Sequence, residues 1–190
     1  MKSSIYAAGL AMILALSVSS SAWARHSAWG NAFAGIASGL EKVDSVSYSE
    51  CSVQSGPLIP CTIPGNTGFA FGFGGGLDFR LLPHVQGEFS LTGLRAFSTT
   101  RGMLSMDGRY IWHPRRALRP FAEAGYSRLA MGIGPHANLA NFGLGADVWS
   151  AAHLGWRAGF HVWLQPGFNQ NGLPVPAMQI YAFEVDLLLR

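Results

Sequence analysis

The residues that could do chemistry are charged side chains placed singly between apolar residues and glycines. Charged residues make up 12% of the sequence against 49% hydrophobic residues, and there are 24 glycines. Carboxylates, guanidinium groups and an imidazole can act as acids and bases, or they can pair with one another. The set consists of Glu88, Asp107, Arg109, Glu123, Asp147, Arg157, His161, Glu184 and Asp186, with Asp78 and Arg80 beside it.

A serine and a histidine could together form a hydrolase site. Nucleophilic catalysis needs a serine within hydrogen-bond reach of a base, and a third group that orients the base. Ser127, His136 and His161 are the candidates, but the sequence has neither a G-x-S-x-G motif nor an H-x-S pair. We therefore predict that His161 is structural, that no residue is catalytic, and that the chain is not an enzyme.

The histidines and glycines do not form a metal or phosphate site in the sequence. No two of the six histidines have an i, i+2 spacing along one strand face, as a metal-binding pair would. The run Gly72–Gly76 lacks the Lys-Ser/Thr that follows in a phosphate loop. The net charge is only +3, and His113–Arg116 is the one tight basic cluster. We predict no metal, no cofactor and no nucleic-acid partner.

Two cysteines, Cys51 and Cys61, flank a segment that contains Gly56, Pro57 and Pro60. In an oxidising compartment such a pair would close the segment with a disulfide, which stabilises a fold by about 2 to 3 kcal/mol through loop entropy. Two thiols with no histidine nearby make a poor metal site. We predict the disulfide.

The N-terminal residues have the features of a secretory signal. Lys2 precedes an apolar run from Ile5 to Val18, and small residues lead to Ala24 before Arg25. The run is shorter than the roughly 20 apolar residues that a membrane anchor needs. We predict a cleaved signal peptide at residues 1–24 and one domain at residues 25–190, because no linker or charge run divides the rest.

Hydrophobic residues alternate with polar residues or glycines along several later segments. In Phe69–Arg80, apolar side chains occupy one face, and glycines, Asp78 and Arg80 occupy the other. A period of two residues predicts a β-strand. The same alternation recurs in residues 85–92, 104–112, 119–127, 140–148, 154–164 and 181–189. With these segments and a less regular opening strand from about Trp29 to Leu40, the count reaches about eight strands.

The alternation leaves open which face is inside. A membrane barrel turns its apolar face to lipid, whereas a soluble lipocalin-like carrier turns it toward a ligand cavity. An exposed polar face should be rich in lysine and glutamate, but Lys42 is the one lysine after residue 24. Aromatic residues near strand ends, namely Tyr110, Trp112, Trp156 and Tyr181, suit the two lipid interfaces. We predict that the apolar face contacts lipid.

The segments GFGGGLDFRLLPH, NFGLGADVWSAAHLGWRAGF and RPFAEAGYSR resemble the strand, short-turn, strand repeats of the OmpA/OmpX-type family of small outer-membrane barrels. The resemblance covers nearly all of residues 25–190 and implies an all-β fold, an eight-stranded antiparallel up-and-down transmembrane β-barrel in the cell outer membrane. Members of that family usually end in an aromatic residue, whereas this sequence ends in Leu187-Leu188-Leu189-Arg190.

An eight-stranded barrel has an interior just wide enough for side chains to fill it. The inward charges are therefore predicted to form an ion-paired plug, with Arg109 and Arg157 as its centres. Short connections alternate with two long ones, Glu41–Asn66 and Gln165–Pro176, which are expected outside the cell. We predict a non-enzymatic barrel with a structural or surface-interaction role through these loops, because binding residues are often carried on loops.

The alternatives are a narrow porin-like pore, a lipid A-modifying outer-membrane hydrolase and a soluble lipocalin-like carrier. The expected partners are outer-membrane lipid and lipopolysaccharide, together with periplasmic chaperones and the barrel-assembly machinery during biogenesis. The chain is expected to be a monomer.

Overall fold

The computed structural model describes residues 30–51, 59–96, 99–130, 137–170 and 173–190. The predicted signal peptide at residues 1–24 and the first residues of the predicted domain lie outside the described residues. Within the described ranges, no helix is long and apolar enough to span a membrane.

Eight antiparallel strands form a closed barrel in the described part of the chain. They are β1 (Gly30–Val43), β4 (Asn66–Leu82), β5 (Val85–Ala96), β6 (Thr99–Ile111), β7 (Leu118–Ala130), β8 (Ala137–Trp149), β9 (Leu154–Gln165) and β12 (Met178–Leu189). Their order around the barrel is β1-β12-β9-β8-β7-β6-β5-β4, so each barrel strand pairs with the next one along the chain and β1 closes the barrel against β12. The predicted all-β, eight-stranded antiparallel fold is confirmed.

The two ends of the barrel differ in their connections. At one end, here called the turn end, short connections at 83–84, 112–117 and 150–153 join the strands, and β1 begins and β12 ends there. The opposite end, here called the loop end, carries two hairpins that the sequence pattern predicted only as long loops. They are β2 (Val46–Cys51) with β3 (Ile59–Ile63), and β10 (Phe168–Gln170) with β11 (Leu173–Val175).

The outer surface of the barrel is apolar. Along β8, most residues from Ala137 to Asp147 on the inward face are buried, while the alternate residues Phe142 and Leu144 are exposed. The same alternation holds around the barrel, so the soluble carrier, which needs its apolar face inside, is disfavoured. Exposed apolar side chains on the barrel strands include Ile36, Leu40, Phe69, Phe73, Leu77, Phe89, Leu91, Leu104, Met106, Phe160, Phe183 and Val185.

Aromatic side chains lie on this outer surface near both ends of the barrel. At the turn end, the ring of Tyr110 contacts Trp112 edge-on at 5.4 Å and stacks with His84 at 5.8 Å. At the loop end, the hydroxyls of Tyr126 and Tyr181 donate hydrogen bonds to Asn138 Oδ1 and Gln179 Oε1, each at 2.6 Å. Rings with a polar tip suit the boundary between lipid tails and headgroups.

One outer contact explains a glycine in β5. A Cβ atom at Gly87 would overlap the ring of Phe79 on the neighbouring strand β4. Phe79 can therefore lie flat across β5 on the outer surface only because residue 87 has no side chain.

Leu144→Arg tests whether the outer surface faces lipid. Leu144 is 64% exposed near the middle of β8, where an arginine in a bilayer costs about 2 to 4 kcal/mol. We expect a loss of this size in the free energy of unfolding, measured by urea titration of the chain reconstituted in vesicles. Leu173→Arg is the matched control, because Leu173 is 61% exposed but lies on the β10–β11 hairpin. Equal effects of both substitutions would contradict a lipid-facing barrel wall.

Candidate functional site

The interior of the turn-end half holds a cluster of ion pairs around two buried arginines. Arg157, on β9, donates from Nε to Asp147 Oδ1 at 3.0 Å and from Nη1 to Glu88 Oε2 at 3.0 Å. Its Nη2 donates to Asp78 Oδ2 at 2.6 Å. The guanidinium also lies over the ring of Phe33, 4.8 Å from its centroid. Three carboxylates and an aromatic face therefore surround one side chain that is only 1% exposed.

Arg109, on β6, is the second centre of the cluster. It donates from Nε and Nη2 to Glu123 Oε2 at 2.8 and 2.6 Å, and it also bonds to Glu88. Its Nη1 lies 3.4 Å from Asp78 Oδ1, and its guanidinium lies 4.3 Å from the centroid of Phe121. Glu88 and Asp78 are thus shared by both arginines, which makes the cluster a single network.

The network extends to the turn end through Asp147. Arg119 Nη2 donates to Asp147 Oδ2 at 2.9 Å, so this carboxylate bridges Arg119 and Arg157. The indole of Trp149 lies beneath two cations, at 4.9 Å from Arg119 and 4.2 Å from Arg190. Cation–π contacts of this kind are favourable when the cation has lost water. They close the turn end of the interior.

His161 extends the network on the other side. Its Nδ1 lies 2.8 Å from Glu123 Oε1, and its Nε2 lies 3.3 Å from Glu184 Oε2 without the alignment of a hydrogen bond. The imidazole stacks on Trp163 at 5.4 Å between centroids. Both nitrogens of this buried imidazole therefore face carboxylates of the network.

A small cavity adjoins this histidine. It has a volume of about 20 Å³ and is lined in part by Asp107, His161, Glu184 and Asp186. Asp107 Oδ1 and Asp186 Oδ2 are buried without a hydrogen-bond partner in the described residues. A volume of this size holds about one water molecule. The space is therefore a local void in a filled interior and is too small for a water-filled channel.

Ser127, the serine considered for a hydrolase, is fully buried inside the barrel. Its hydroxyl lies 2.6 Å from Ser105 Oγ and accepts a hydrogen bond at 2.6 Å from Asn141 Nδ2. These partners are a hydroxyl and an amide, so neither can act as the base of a catalytic serine. His136, the other candidate, lies outside the described residues.

The loop-end half of the interior is apolar. Its side chains include Leu94, Met103, Leu129, Leu139, Met178 and Ile180. Beyond them, Arg101 forms a bidentate ion pair with the fully buried Glu41, at 2.7 and 3.1 Å. The apolar layer separates this pair from the ion cluster and closes the interior on that side.

A groove of about 410 Å³ lies outside the barrel at the loop end, between the β2–β3 and β10–β11 hairpins. It is lined by residues 44–47 from one side and by residues 167–169 and 174–177 from the other. Phe168 is 48% exposed there. Its volume falls within the range of small-ligand sites, so it is a recess that could receive a binding partner.

The predicted disulfide would join the two strands of the first hairpin. The register of β2 and β3 pairs Tyr48 with Cys61 and Cys51 with Ile59, with an irregularity between the two pairs. No free cysteine is present among the described residues. The side chain of Cys51 lies outside the described set, so the Cys51–Cys61 bond stays a prediction.

Arg80, which the alternation places on the inward face, is instead exposed at the turn end, where β4 has an irregular register. The other predicted interior residues lie inside the barrel, but they are not equally connected. Six of them form one continuous chain of contacts: Glu88, Arg109, Glu123, Asp147, Arg157 and His161. Glu184 approaches the network only at His161, and Asp107 and Asp186 line the cavity.

Sequence reasoning missed Arg119 and the Glu41–Arg101 pair. Arg119 precedes Pro120 at the start of β7, where the alternation is weak. The sequence pattern places Glu41 and Arg101 at the ends of connections, yet both lie on barrel strands that are longer than the pattern suggests. No group of three or more His, Cys, Asp or Glu in the described ranges could hold a metal ion.

Comparison with known proteins reveals a shared fold but no sequence relative. No protein-family model and no curated protein sequence matches the chain. The structure is similar to the N-terminal β-barrel domain of Pseudomonas aeruginosa OprF, with a TM-score of 0.52 and 12% identity over 84% of this chain and 97% of that domain. Neisserial surface protein A (NspA) matches at a TM-score of 0.45, with 13% identity over 82% of this chain and 97% of that one.

The fold and its surface together define the class of protein. A closed eight-stranded antiparallel barrel with an apolar exterior and a polar, filled interior is the architecture of the small outer-membrane β-barrels. This architecture agrees with the outer-membrane localisation predicted from the sequence. At these identities the likeness to OprF is one of fold alone, so the role of the chain has to be argued from its own residues.

Arg157→Met tests the contribution of the ion cluster. Removal of the guanidinium leaves Asp78, Asp147 and Glu88 with fewer partners in a desolvated interior, and loss of one partner from a buried pair costs about 3 to 5 kcal/mol. We expect a destabilisation of that size in urea unfolding followed by tryptophan fluorescence. Arg128→Met is the control, because Arg128 is exposed on the outer face of β7. A loss below about 1 kcal/mol for Arg157→Met would show that the cluster is not structural.

Proposed function

We propose that this chain is a non-enzymatic outer-membrane barrel of the OmpA/OmpX type, which acts in a structural or surface-interaction role through its loop end. The groove between the two loop-end hairpins is the observation that carries the proposal. It lies at the end of the barrel, and each of its walls includes residues of a paired hairpin, namely 46–47 on one side and 168–169 and 174–175 on the other. A preformed recess on a rigid support loses less conformational entropy on binding than a flexible loop does.

The filled interior favours this role over a narrow pore. Ion conduction needs a continuous polar path, whereas here the apolar layer of Leu129, Leu139 and Ile180 lies across the loop-end half. On its other side, Arg109 and Arg157 are each only 1% exposed among carboxylates and rings. Opening a path would require these ion pairs to break in a medium of low dielectric constant, which is costly.

The environment of Ser127 supports a non-enzymatic role over lipid A hydrolysis. A hydrolase of the outer leaflet would need its serine on the lipid-facing wall or at the rim. Ser127 points inward and is held by Ser105 and Asn141. It has no access to a lipid substrate.

The basic residues at the loop end favour lipopolysaccharide as a neighbour. Lys42, Arg95 and Arg128 are exposed there on outward-facing positions of β1, β5 and β7. Lysine and arginine bind phosphate through charge and hydrogen bonds, and lipopolysaccharide carries phosphates at this level of the membrane. We propose that the chain acts as a monomer, and that it reaches the membrane with the periplasmic chaperones and assembly machinery of this class.

Replacement of residues 46–63 by an epitope tag tests the proposal. We expect the tagged chain to require detergent and to change its gel mobility on boiling, because the barrel strands remain intact. We also expect antibody to label the tag on intact cells. The matched control carries the same tag in place of residues 113–116 at the turn end, and it should change mobility but remain unlabelled. A water-soluble chain, or labelling of the control alone, would contradict the proposal.

Ser127→Ala tests the absence of enzymatic activity. Because the Ser127 hydroxyl bonds only within the interior, we expect the acylation pattern of lipid A to be the same in cells that express the original and the substituted chain. Mass spectrometry of extracted lipid A measures this pattern, and cells without the chain provide the baseline. A pattern that changes when the chain is expressed and reverts with Ser127→Ala would make the chain a hydrolase.

A further inference from the structure

The turn end of the barrel is a basic surface. Arg80, Arg115 and Arg116 are exposed there. Two acidic side chains in the turn-end half, Asp78 and Asp147, are buried inside the barrel and bonded to interior arginines. In the described part of the chain, none of the three exposed arginines forms an ion pair with a carboxylate. In the described residues, these three exposed guanidinium groups are therefore not neutralised by a carboxylate.

Two of these arginines lie immediately beyond the aromatic side chains that mark the lipid interface. Trp112 and Tyr110 are exposed on the outer wall at the end of β6, and Arg115 and Arg116 follow within the same short connection. The backbone of this connection is fixed, since Arg116 N donates to His113 O at 3.0 Å and Trp112 N donates to Pro120 O at 2.9 Å. The guanidinium groups are thus held near the level of lipid headgroups.

The third exposed arginine, Arg80, adds to the unbalanced charge. Burial, and next to it the like charge of Arg80, lower the pKa of the Arg190 guanidinium at the end of the chain. Arg190 donates to Asn31 Oδ1 at 3.3 Å, which is a neutral partner. Repulsion between neighbouring cations is relieved when an anion binds beside them.

We propose that the turn end binds the phosphate headgroups of anionic glycerophospholipids in the leaflet that it faces, through Arg115 and Arg116. A guanidinium donates two parallel hydrogen bonds to phosphate oxygens. The adjacent rings of Trp112 and Tyr110 contact the glycerol and upper acyl region, which orients the headgroup toward the arginines. The inference rests on the proposed membrane placement of the barrel but not on any role of the loop end.

The test measures which lipid lies next to Trp112. The chain is reconstituted in a Trp23→Phe/Trp29→Phe/Trp156→Phe background, where Trp112 is the lipid-facing tryptophan because Trp149 and Trp163 point inward. Its fluorescence is quenched with brominated phosphatidylglycerol or brominated phosphatidylcholine at equal mole fraction. In the original chain, we expect brominated phosphatidylglycerol to quench Trp112 more strongly than brominated phosphatidylcholine does. In Arg115→Gln/Arg116→Gln, the association constant of phosphatidylglycerol relative to phosphatidylcholine should fall about fivefold for each charge removed.

Two matched variants make the result specific. Arg95→Gln/Arg128→Gln removes two exposed charges at the loop end and should leave the preference at Trp112 unchanged. Arg115→Lys/Arg116→Lys keeps the charge and should keep most of the preference. Equal quenching by both lipids in the original chain, or a preference that survives Arg115→Gln/Arg116→Gln, would overturn the inference. Quenching by neither lipid would instead mean that the barrel wall does not face a bilayer, which would overturn the proposed function as well.

Discussion

Backbone hydrogen bonding across the β1–β12 seam is the constraint on which the rest of the structure depends. A sheet that crosses a bilayer cannot leave an open edge, because lipid offers no partner for an unpaired N–H or C=O group. Here β1 pairs with β12 from Ala32–Leu189 to Val43–Met178, and with β4 along its other edge. Closure with eight strands leaves an interior only wide enough for side chains, so the residues that point inward must fill it and satisfy one another.

In the turn-end half of the interior, the inward-pointing charged residues satisfy one another through ion pairs. Arg109 and Arg157 bond to carboxylates on β4, β5, β7 and β8, and they themselves lie on β6 and β9. The two remaining strands reach the network through Phe33 on β1 and through Glu184 on β12. A charge buried without a partner costs several kcal/mol, but Arg109 and Arg157 each bond to three carboxylates. The cluster thus ties all eight strands together in one register.

The outer wall was predictable from the sequence because lipid imposes a simple rule. Every second residue of a strand must be apolar, and this alternation identified the wall strands and the inward positions of Glu88, Arg109 and Arg157 correctly. The rule weakens toward the loop end, where the interior is apolar too. In β7 and β8, Leu129 and Leu139 occupy inward positions, whereas their neighbours Arg128 and Asn138 point outward. The apolar side of the alternation therefore changes from the outer to the inner face of the strand there. An inward leucine cannot be told from an outward one without its neighbours on other strands.

The same reasoning explains why the hairpins and the ion-pair partners could not be predicted. Residues 46–63 contain Gly56, Pro57 and Pro60 and lack a long alternation, so they resembled an irregular loop, although short strands pair within them. Which carboxylate meets which arginine depends on the stagger of the strands around the barrel. Arg157 meets Asp78 and Glu88, which are 79 and 69 residues away in sequence. Such contacts follow from closure and not from any local pattern.

Acidic side chains lie mainly inside the barrel and basic side chains mainly outside it, a difference that the net charge of +3 does not show. Apart from Asp44, which pairs with Lys42 at 3.0 Å, and Glu50 on β2, the acidic residues of the sequence point into the barrel. The exposed charges on the outer wall and at its ends are mainly arginines.

This distribution of charges has a physical cause, because an inward carboxylate can bond to a guanidinium across the barrel, whereas an outward carboxylate would face anionic headgroups. An outward arginine can extend its charged group to the headgroups and keep its methylene chain in the apolar region. A modest net charge therefore results from an acidic interior and a basic exterior, and the charged groups exposed on the outside of the barrel are mainly basic.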